Sequence, residues 1–119
     1  MRTGKRSLLD EILGTIERRR HARFQLEAEV KIVSESMGLL PGRSVEISES
    51  GMAVLLPVEL PLHETVRLVL TLPLGPLEIN AIVRSRNAFR HGFEFVAATP
   101  SQELIRKSCG LLTPCTYEN

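Results

Sequence analysis

The segment ERRRHARF, residues 17–24, sets four arginines (Arg18, Arg19, Arg20 and Arg23) within six positions, with Glu17 as the one adjacent acid. Two like charges repel by about half a kcal/mol at roughly 8 Å in water, and by more where water is thinned. Guanidinium forks bind phosphate oxygens bidentately and can also grip the O6/N7 edge of guanine. A second polar stretch, EISESG at residues 46–51, holds a carboxylate, hydroxyls and a glycine. A carboxylate accepts hydrogen bonds, which suits the N–H donors on guanine's other edge. Brought together, the two stretches would form a site in which an anion, a guanine nucleotide for preference, relieves the repulsion. The plainer reading of the arginines is a solvated helix end favoured by the dipole. Glu46 and Ser48 would then be an ordinary wet strand face, and Arg20 could pair with Glu17.

Which elements would position these residues? Ser7 and Asp10 have the form of a helix start, and Leu8, Leu9, Ile12, Leu13 and Ile16 follow at helical spacing. The arginines come where that apolar stripe stops, so residues 1–17 are expected to hold an N-terminal helix and residues 18–24 an arginine-rich segment. From Gln25 the period changes to two, with Leu26, Ala28, Val30 and Ile32 on one face. RSVEIS repeats the pattern, with Val45 and Ile47 inward and Ser44, Glu46 and Ser48 outward. GMAVLLPV, TVRLVLTL, LEINAIVRSR and HGFEFVA follow as strands, with turns at PLGP (73–76) and NAFR (87–90).

Six short strands without helices between them imply antiparallel pairing, and closure into a barrel removes the exposed edges. The expected fold is therefore a mainly β, six-stranded antiparallel β-barrel over residues 25–97, flanked by the N-terminal helix and a C-terminal helix over 99–110. Thr99, Pro100 and Gln102 suggest a capping box with proline in the first turn, Gly110 a stop, and Leu104, Ile105 and Cys109 a buried side. The 119 residues form a single domain.

If SESMGLLPG (34–42) is the loop between the first two strands, antiparallel pairing sets Arg23 opposite Glu49 to Gly51, within two residues. The arginine segment and EISESG then meet at one end of the barrel. Gly51 suits a turn with positive φ or a close approach of backbone to ligand.

The order R-x-x-x-R, strand, [D/N]-x-S-x-x-G on such a barrel is similar to the PilZ domain. Here it reads RRHAR, Arg19 to Arg23, and EISESG, Glu46 to Gly51, while RHGFEF (90–95) looks like the family's glycine-bearing late strand. The resemblance runs from about Arg18 to the C-terminal helix and implies a receptor for cyclic di-GMP. It implies that Arg19 and Arg23 hold phosphate and guanine, that Glu46 and Ser48 read a guanine edge, and that Gly51 permits the turn. Arg18 matches a position where family members with arginine bind a stacked nucleotide dimer, and Arg20 is a further candidate for phosphate. Position 46 departs from the family pattern: Glu keeps the acceptor but carries it about 1.5 Å farther from the backbone than Asp, one C–C bond.

The rest of the sequence narrows the alternatives. With 24% charged residues and net charge +1, no global basic field draws nucleic acid, and 4% aromatics with no tryptophan leave few stacking platforms. The three histidines lack acidic or thiol companions at ligand spacing, so no metal site is expected. No nucleophile–base set or paired catalytic acids appear, so no enzyme activity or cofactor is expected. Cys109 and Cys115 read as reduced thiols of a cytoplasmic protein, and no stretch suits a signal peptide or membrane span. Phe93 and Phe95 read as core.

Two functions follow. The first is a cyclic di-GMP receptor that changes its interaction surface, towards a downstream protein or its own copies, when ligand orders the arginine segment. The second is a degenerate adaptor of the same fold, acting through protein contacts without nucleotide; the stripe from Leu8 to Ile16 would be its contact.

Overall fold

The computed structural model describes residues 21–96 and 98–116; the expected N-terminal helix, with Arg18, Arg19 and Arg20, lies outside them. Seven strands and one helix make up the described chain: β1 Phe24–Gln25, β2 Glu29–Ser34, β3 Gly38–Ile47, β4 Gly51–Leu55, β5 Thr65–Leu72, β6 Gly75–Asn87, β7 Arg90–Val96 and α1 Thr99–Cys109. All pairings are antiparallel, in the order β1-β3-β2-β5-β6-β7-β4, and a further β3–β4 pairing closes strands β2 to β7 into a six-stranded barrel. β1 is an extra strand on the outer edge of β3, where Phe24 pairs with Ile47 and Gln25 with Glu46.

Alternation drives this arrangement. Val30 and Ile32 on β2, Val66, Leu68, Leu70 and Leu72 on β5, and Phe93 and Phe95 on β7 all point into one core. Ile105 and Cys109 of α1 complete it. Burial pushes the Cys109 thiol up to about 11, with the nearby Glu49 carboxylate adding to the rise. At pH 8 about one such thiol in a thousand is thiolate, which makes it a packing group.

Several expectations needed correction. The loop read at 34–42 is only the turn Glu35–Met37, and Gly38 to Pro41 already belong to β3. Pro41 is tolerated because that part of β3 pairs with β2 alone, β4 joining only from Arg43 onward. Gly42 is inside the strand because a Cβ there would lie 2.7–2.8 Å from Val54, Ile32 and Leu56 side-chain atoms. The first strand is split, since Ser44 reaches across to the intervening backbone: Oγ accepts from Ala28 N at 2.8 Å and donates to the Leu26 carbonyl. Ser44 is consequently buried rather than outward. The strand read over 51–58 ends at Leu55, before Pro57. At α1 the cap is Ala98, with no side-chain hydrogen bond, so Thr99 does not form the expected box; Gly110 ends the helix in an ordinary right-handed conformation.

The turn at 35–37 is tied down by Glu64, whose carboxylate accepts from Ser34 Oγ at 2.6 Å and Ser36 Oγ at 2.7 Å. Burial would raise this carboxyl's pKa, but the hydroxyls of Ser34 and Ser36 and the backbone N–H groups of Ser36 and Glu35 outweigh it and hold it below 4.5. The folded value is the lower one, so the stabilisation is complete above the unfolded pKa and is lost as the pH falls through the folded value. Between about pH 5 and pH 3, Glu64→Gln should therefore lose less stability than the wild type, measured as the urea midpoint. Equal losses would mean the carboxylate contributes nothing.

Candidate functional site

Two β-bulges shape one end of the barrel. Pairing between β3 and β4 slips between Ser44 and Glu46, and pairing between β6 and β7 slips between Val83 and Ser85. A bulge reverses the side-chain phase, so Glu46 turns outward while Ile47 stays in the core. The second bulge puts Ser85 outward together with Arg84, whose Nε donates to Glu94 Oε1 at 2.6 Å. Between the bulges lies a groove of about 720 Å³, whose lining includes His21, Arg23, Glu46, Ser48, Gly51, Arg84 and Arg90. That volume falls within the usual range of about 300–1,000 Å³ for small-molecule sites.

Glu46 is the hub of this groove. Its side chain is 11% exposed, and Oε2 accepts from Arg23 Nη1 at 2.9 Å and from Arg90 Nη2 at 3.3 Å. The Cys115 thiol lies 3.6 Å from Oε1. A largely buried carboxylate needs such partners, because leaving one unpaired costs several kcal/mol. Among the described residues, two guanidinium groups, those of Arg23 and Arg90, share this one carboxylate at the groove.

Register delivers Arg23 to this place: the β1–β3 pairing of Phe24 with Ile47 carries Arg23 to the level of Ser48. The chain after α1 returns to hold the segment from its other side. Gln25 N donates to the Thr113 carbonyl at 2.8 Å, Phe24 bridges to Pro114, and Cys115 N donates to the Arg23 carbonyl at 2.8 Å. The backbone of Arg23 is thus fixed while its guanidinium, 35% exposed, faces the groove.

Ser48 to Gly51 form a tight loop. Ser48 N donates to the Gly51 carbonyl at 2.8 Å, and Ser48 Oγ accepts from the N–H groups of Ser50 and Gly51, each at 3.2 Å. Gly51 does not have positive φ, contrary to one of the two expectations. The close approach it permits is to neighbouring protein backbone: a Cβ would stand 2.1 Å from the Phe93 carbonyl oxygen of β7. His21 lines the groove with its Nδ1 buried and without a hydrogen-bond partner among the described residues. Buried side-chain nitrogens usually have a hydrogen-bond partner.

Of the seven residues expected at the site, the structure brings together Arg23, Glu46, Ser48 and Gly51; Arg18, Arg19 and Arg20 fall outside the described residues. The sequence reading missed Arg90, Arg84 and Cys115. Arg90 opens the RHGFEF stretch already singled out, so a signal existed; Cys115 had none, since backbone pairing of chain ends leaves no periodicity. Among the described residues, no cluster of histidine, cysteine, aspartate and glutamate has the arrangement of a metal site, and no helix is long and apolar enough to cross a membrane.

Comparison with known proteins agrees with this geometry. A family model described as the PilZ domain matches residues 17–109. Three solved structures share the fold. The Bacillus subtilis inhibitor of motility (MotI/DgrA) is 24% identical with a TM-score of 0.64, the match covering 79% of this chain and 50% of that one. The PilZ domain of CeSA from a cellulose-synthesizing bacterium is 22% identical with a TM-score of 0.60, covering 75% and 96%. The PilZ domain of YcgR from Escherichia coli, solved with c-di-GMP, is 18% identical with a TM-score of 0.67, covering 80% and 91%. The chain therefore spans half the length of the MotI chain it matches. No curated protein matches its sequence.

Proposed function

Because the chain belongs to the PilZ domain family, we propose that the groove between the bulges is a receptor site for cyclic di-GMP and that the domain is a binding module, not a catalyst. The observation that carries the proposal is the meeting of Arg23 with the Glu46–Gly51 segment in one groove of suitable size, held by β1, β3 and the returning chain end. His21 Nδ1, buried there with no hydrogen-bond partner among the described residues, adds a polar atom to the groove wall. The YcgR domain that shares the fold was solved with this ligand.

In this reading the ligand's two phosphodiester groups take over guanidinium bonds that Glu46 now occupies. Arg23 turns from Glu46 to phosphate and guanine, Arg19 supplies the second fork of the R-x-x-x-R pair, and Arg18 and Arg20 add charge beside them. Glu46, kept in place by Arg90, and Ser48 face a guanine edge. Repulsion within residues 18–23 falls as the anion enters, so the segment orders against the barrel and the surface offered to partners changes. The thiol groups of Cys109 and Cys115 suit a reducing cytoplasm.

One observation favours the second reading, an adaptor without nucleotide. Glu46 supplies an internal anion to Arg23 and Arg90, so these arginines have a structural role that needs no nucleotide. The stripe from Leu8 to Ile16, which would serve such an adaptor, lies outside the described residues. Calorimetry separates the two. Cyclic di-GMP should give saturable heat with the wild type, and Glu46→Asp should bind as well or better, since a shorter carboxylate competes less for Arg23. No heat at high micromolar ligand would leave the adaptor.

A further inference from the structure

The bulge between β6 and β7 gives the groove a second polar wall, opposite the one that carries Glu46. Val83 belongs to the core, whereas Arg84 and Ser85 are both exposed and both line the groove. Regular alternation would have returned residue 85 to the inner face; the bulge sets two consecutive polar side chains on one side. Gly92 pairs with Ser85, and a Cβ at 92 would lie 2.5 Å from Ser85 Oγ, so the hydroxyl takes the place a side chain there would need. Register measures the distance between the two walls. Glu46 pairs with Ala53, Ala53 with Gly92 and Gly92 with Ser85, a row across β3, β4, β7 and β6. Three strand spacings put its ends about 14 Å apart along the sheet, so each end can serve a separate base.

Arg84 is held in a way that leaves its fork available. Its Nε donates to Glu94 Oε1 at 2.6 Å, and Glu94 lines the groove as well. That bond uses Nε alone: among the described residues, neither Nη group of Arg84 has a hydrogen-bond partner. The two side chains are 48% and 54% exposed, so the pair contributes little to stability; what it fixes is the direction of the guanidinium plane. The carboxylate also offsets the charge of this arginine. A phosphate placed here would be repelled by Glu94 while attracted by Arg84, whereas an uncharged base edge escapes that repulsion. The other wall differs, since there the guanidinium groups of Arg23 and Arg90 share the one carboxylate of Glu46.

We propose that Arg84 recognises the second guanine of cyclic di-GMP, its two Nη groups donating to O6 and N7. The inference rests on the receptor reading and deepens it, by assigning the base that Glu46 and Ser48 do not read. The fork suits guanine because O6 and N7 are both acceptors. Adenine keeps N7 but carries an amino donor in place of O6, so one arm of the fork would meet a donor. Ser85 Oγ, on the same wall, can donate to or accept from the same base. The two bases of one ligand are thus read from opposite walls of the groove, with the backbone phosphates left to the arginines at the Glu46 end.

Titration calorimetry of the full chain with two ligands tests the assignment: cyclic di-GMP, and the mixed cyclic dinucleotide of GMP and AMP with the same linkages. With its guanine on Glu46 and Ser48, the mixed ligand brings adenine to Arg84. The wild type should bind cyclic di-GMP about ten-fold or more tightly than the mixed ligand. Arg84→Ala, whose exposed position leaves the fold intact, should weaken cyclic di-GMP to the level of the mixed ligand and leave the mixed ligand within about two-fold of its wild-type affinity. Arg67→Ala, at the remote exposed pair, should alter neither ligand. A wild type without preference, an Arg84→Ala variant that binds cyclic di-GMP as the wild type does, or one that weakens both ligands alike would overturn the assignment and leave the receptor reading in place. A wild type that binds neither ligand would defeat the receptor reading, and this assignment with it.

Discussion

Replacing Arg23 by alanine is expected to weaken cyclic di-GMP binding by about 2–3 kcal/mol, roughly 30- to 150-fold, while leaving a folded domain. The affinity loss follows from removing a charged fork from the groove, since hydrogen bonds between charged groups are the strong ones. The fold survives because Glu46 keeps Arg90 at 3.3 Å and the Cys115 thiol at 3.6 Å. The strap also survives, as the Arg23 carbonyl is backbone and still accepts from Cys115 N. The stability cost should stay near 1–2 kcal/mol. Arg67, whose ion pair with Glu78 at 3.8 Å is exposed and remote from the groove, supplies the control: Arg67→Ala should change neither quantity appreciably. Titration calorimetry and urea unfolding on the same preparations separate the effects. An Arg23→Ala variant that is unstable but binds ligand normally would make this arginine a partner of Glu46 alone.

Gly51→Ala should destabilise the domain by about 3 kcal/mol or more, lowering the melting temperature by roughly 10 °C or more. The added methyl would meet the Phe93 carbonyl oxygen at 2.1 Å, its carbon at 3.2 Å and Glu94 Cα at 3.4 Å. All three are backbone atoms, so no rotamer change makes room. The strands β4 and β7 must separate where Gly51 pairs with Glu94 and Phe95 N donates to the Ser50 carbonyl at 2.8 Å. Gly92→Ala is the informative contrast. Its methyl would meet Ser85 Oγ at 2.5 Å, a rotatable side-chain end, with the next atom at 3.8 Å. That substitution should cost under about 1.5 kcal/mol. Thermal unfolding followed by circular dichroism reads both, and equal melting temperatures for the two variants would show that backbone crowding does not govern position 51.

The strands and their core faces were legible because half-buried antiparallel strands alternate: Val30 and Ile32, Val66 to Leu72, and Phe93 and Phe95 all point as their spacing implies. The bulges at 44–46 and 83–85 were not legible. A bulge inserts a residue without changing composition, so RSVEIS reads as unbroken alternation although Ser44 and Ile47 are both inward. Turn chemistry misled at Pro41 and Gly42, residues that usually mark loops but here occupy an edge and a crowded core position. The meeting of Arg23 with Glu46 could be derived, because an antiparallel hairpin fixes which distant residues face one another. Arg90 could not be placed that way, since its neighbour relation passes through β4 and depends on how the barrel closes. The chain-end strap on β1 is a pairing between opposite termini of the described chain and is carried by backbone atoms alone.

The account's central claim is met most directly by following the backbone amides of the labelled protein in two-dimensional nuclear magnetic resonance as cyclic di-GMP is added. It predicts saturating shifts concentrated at His21 and Arg23 and from Glu46 to Gly51, with the far turn at Glu35 to Met37 unmoved. A spectrum unchanged at saturating ligand, or shifts confined to that far turn, would contradict it.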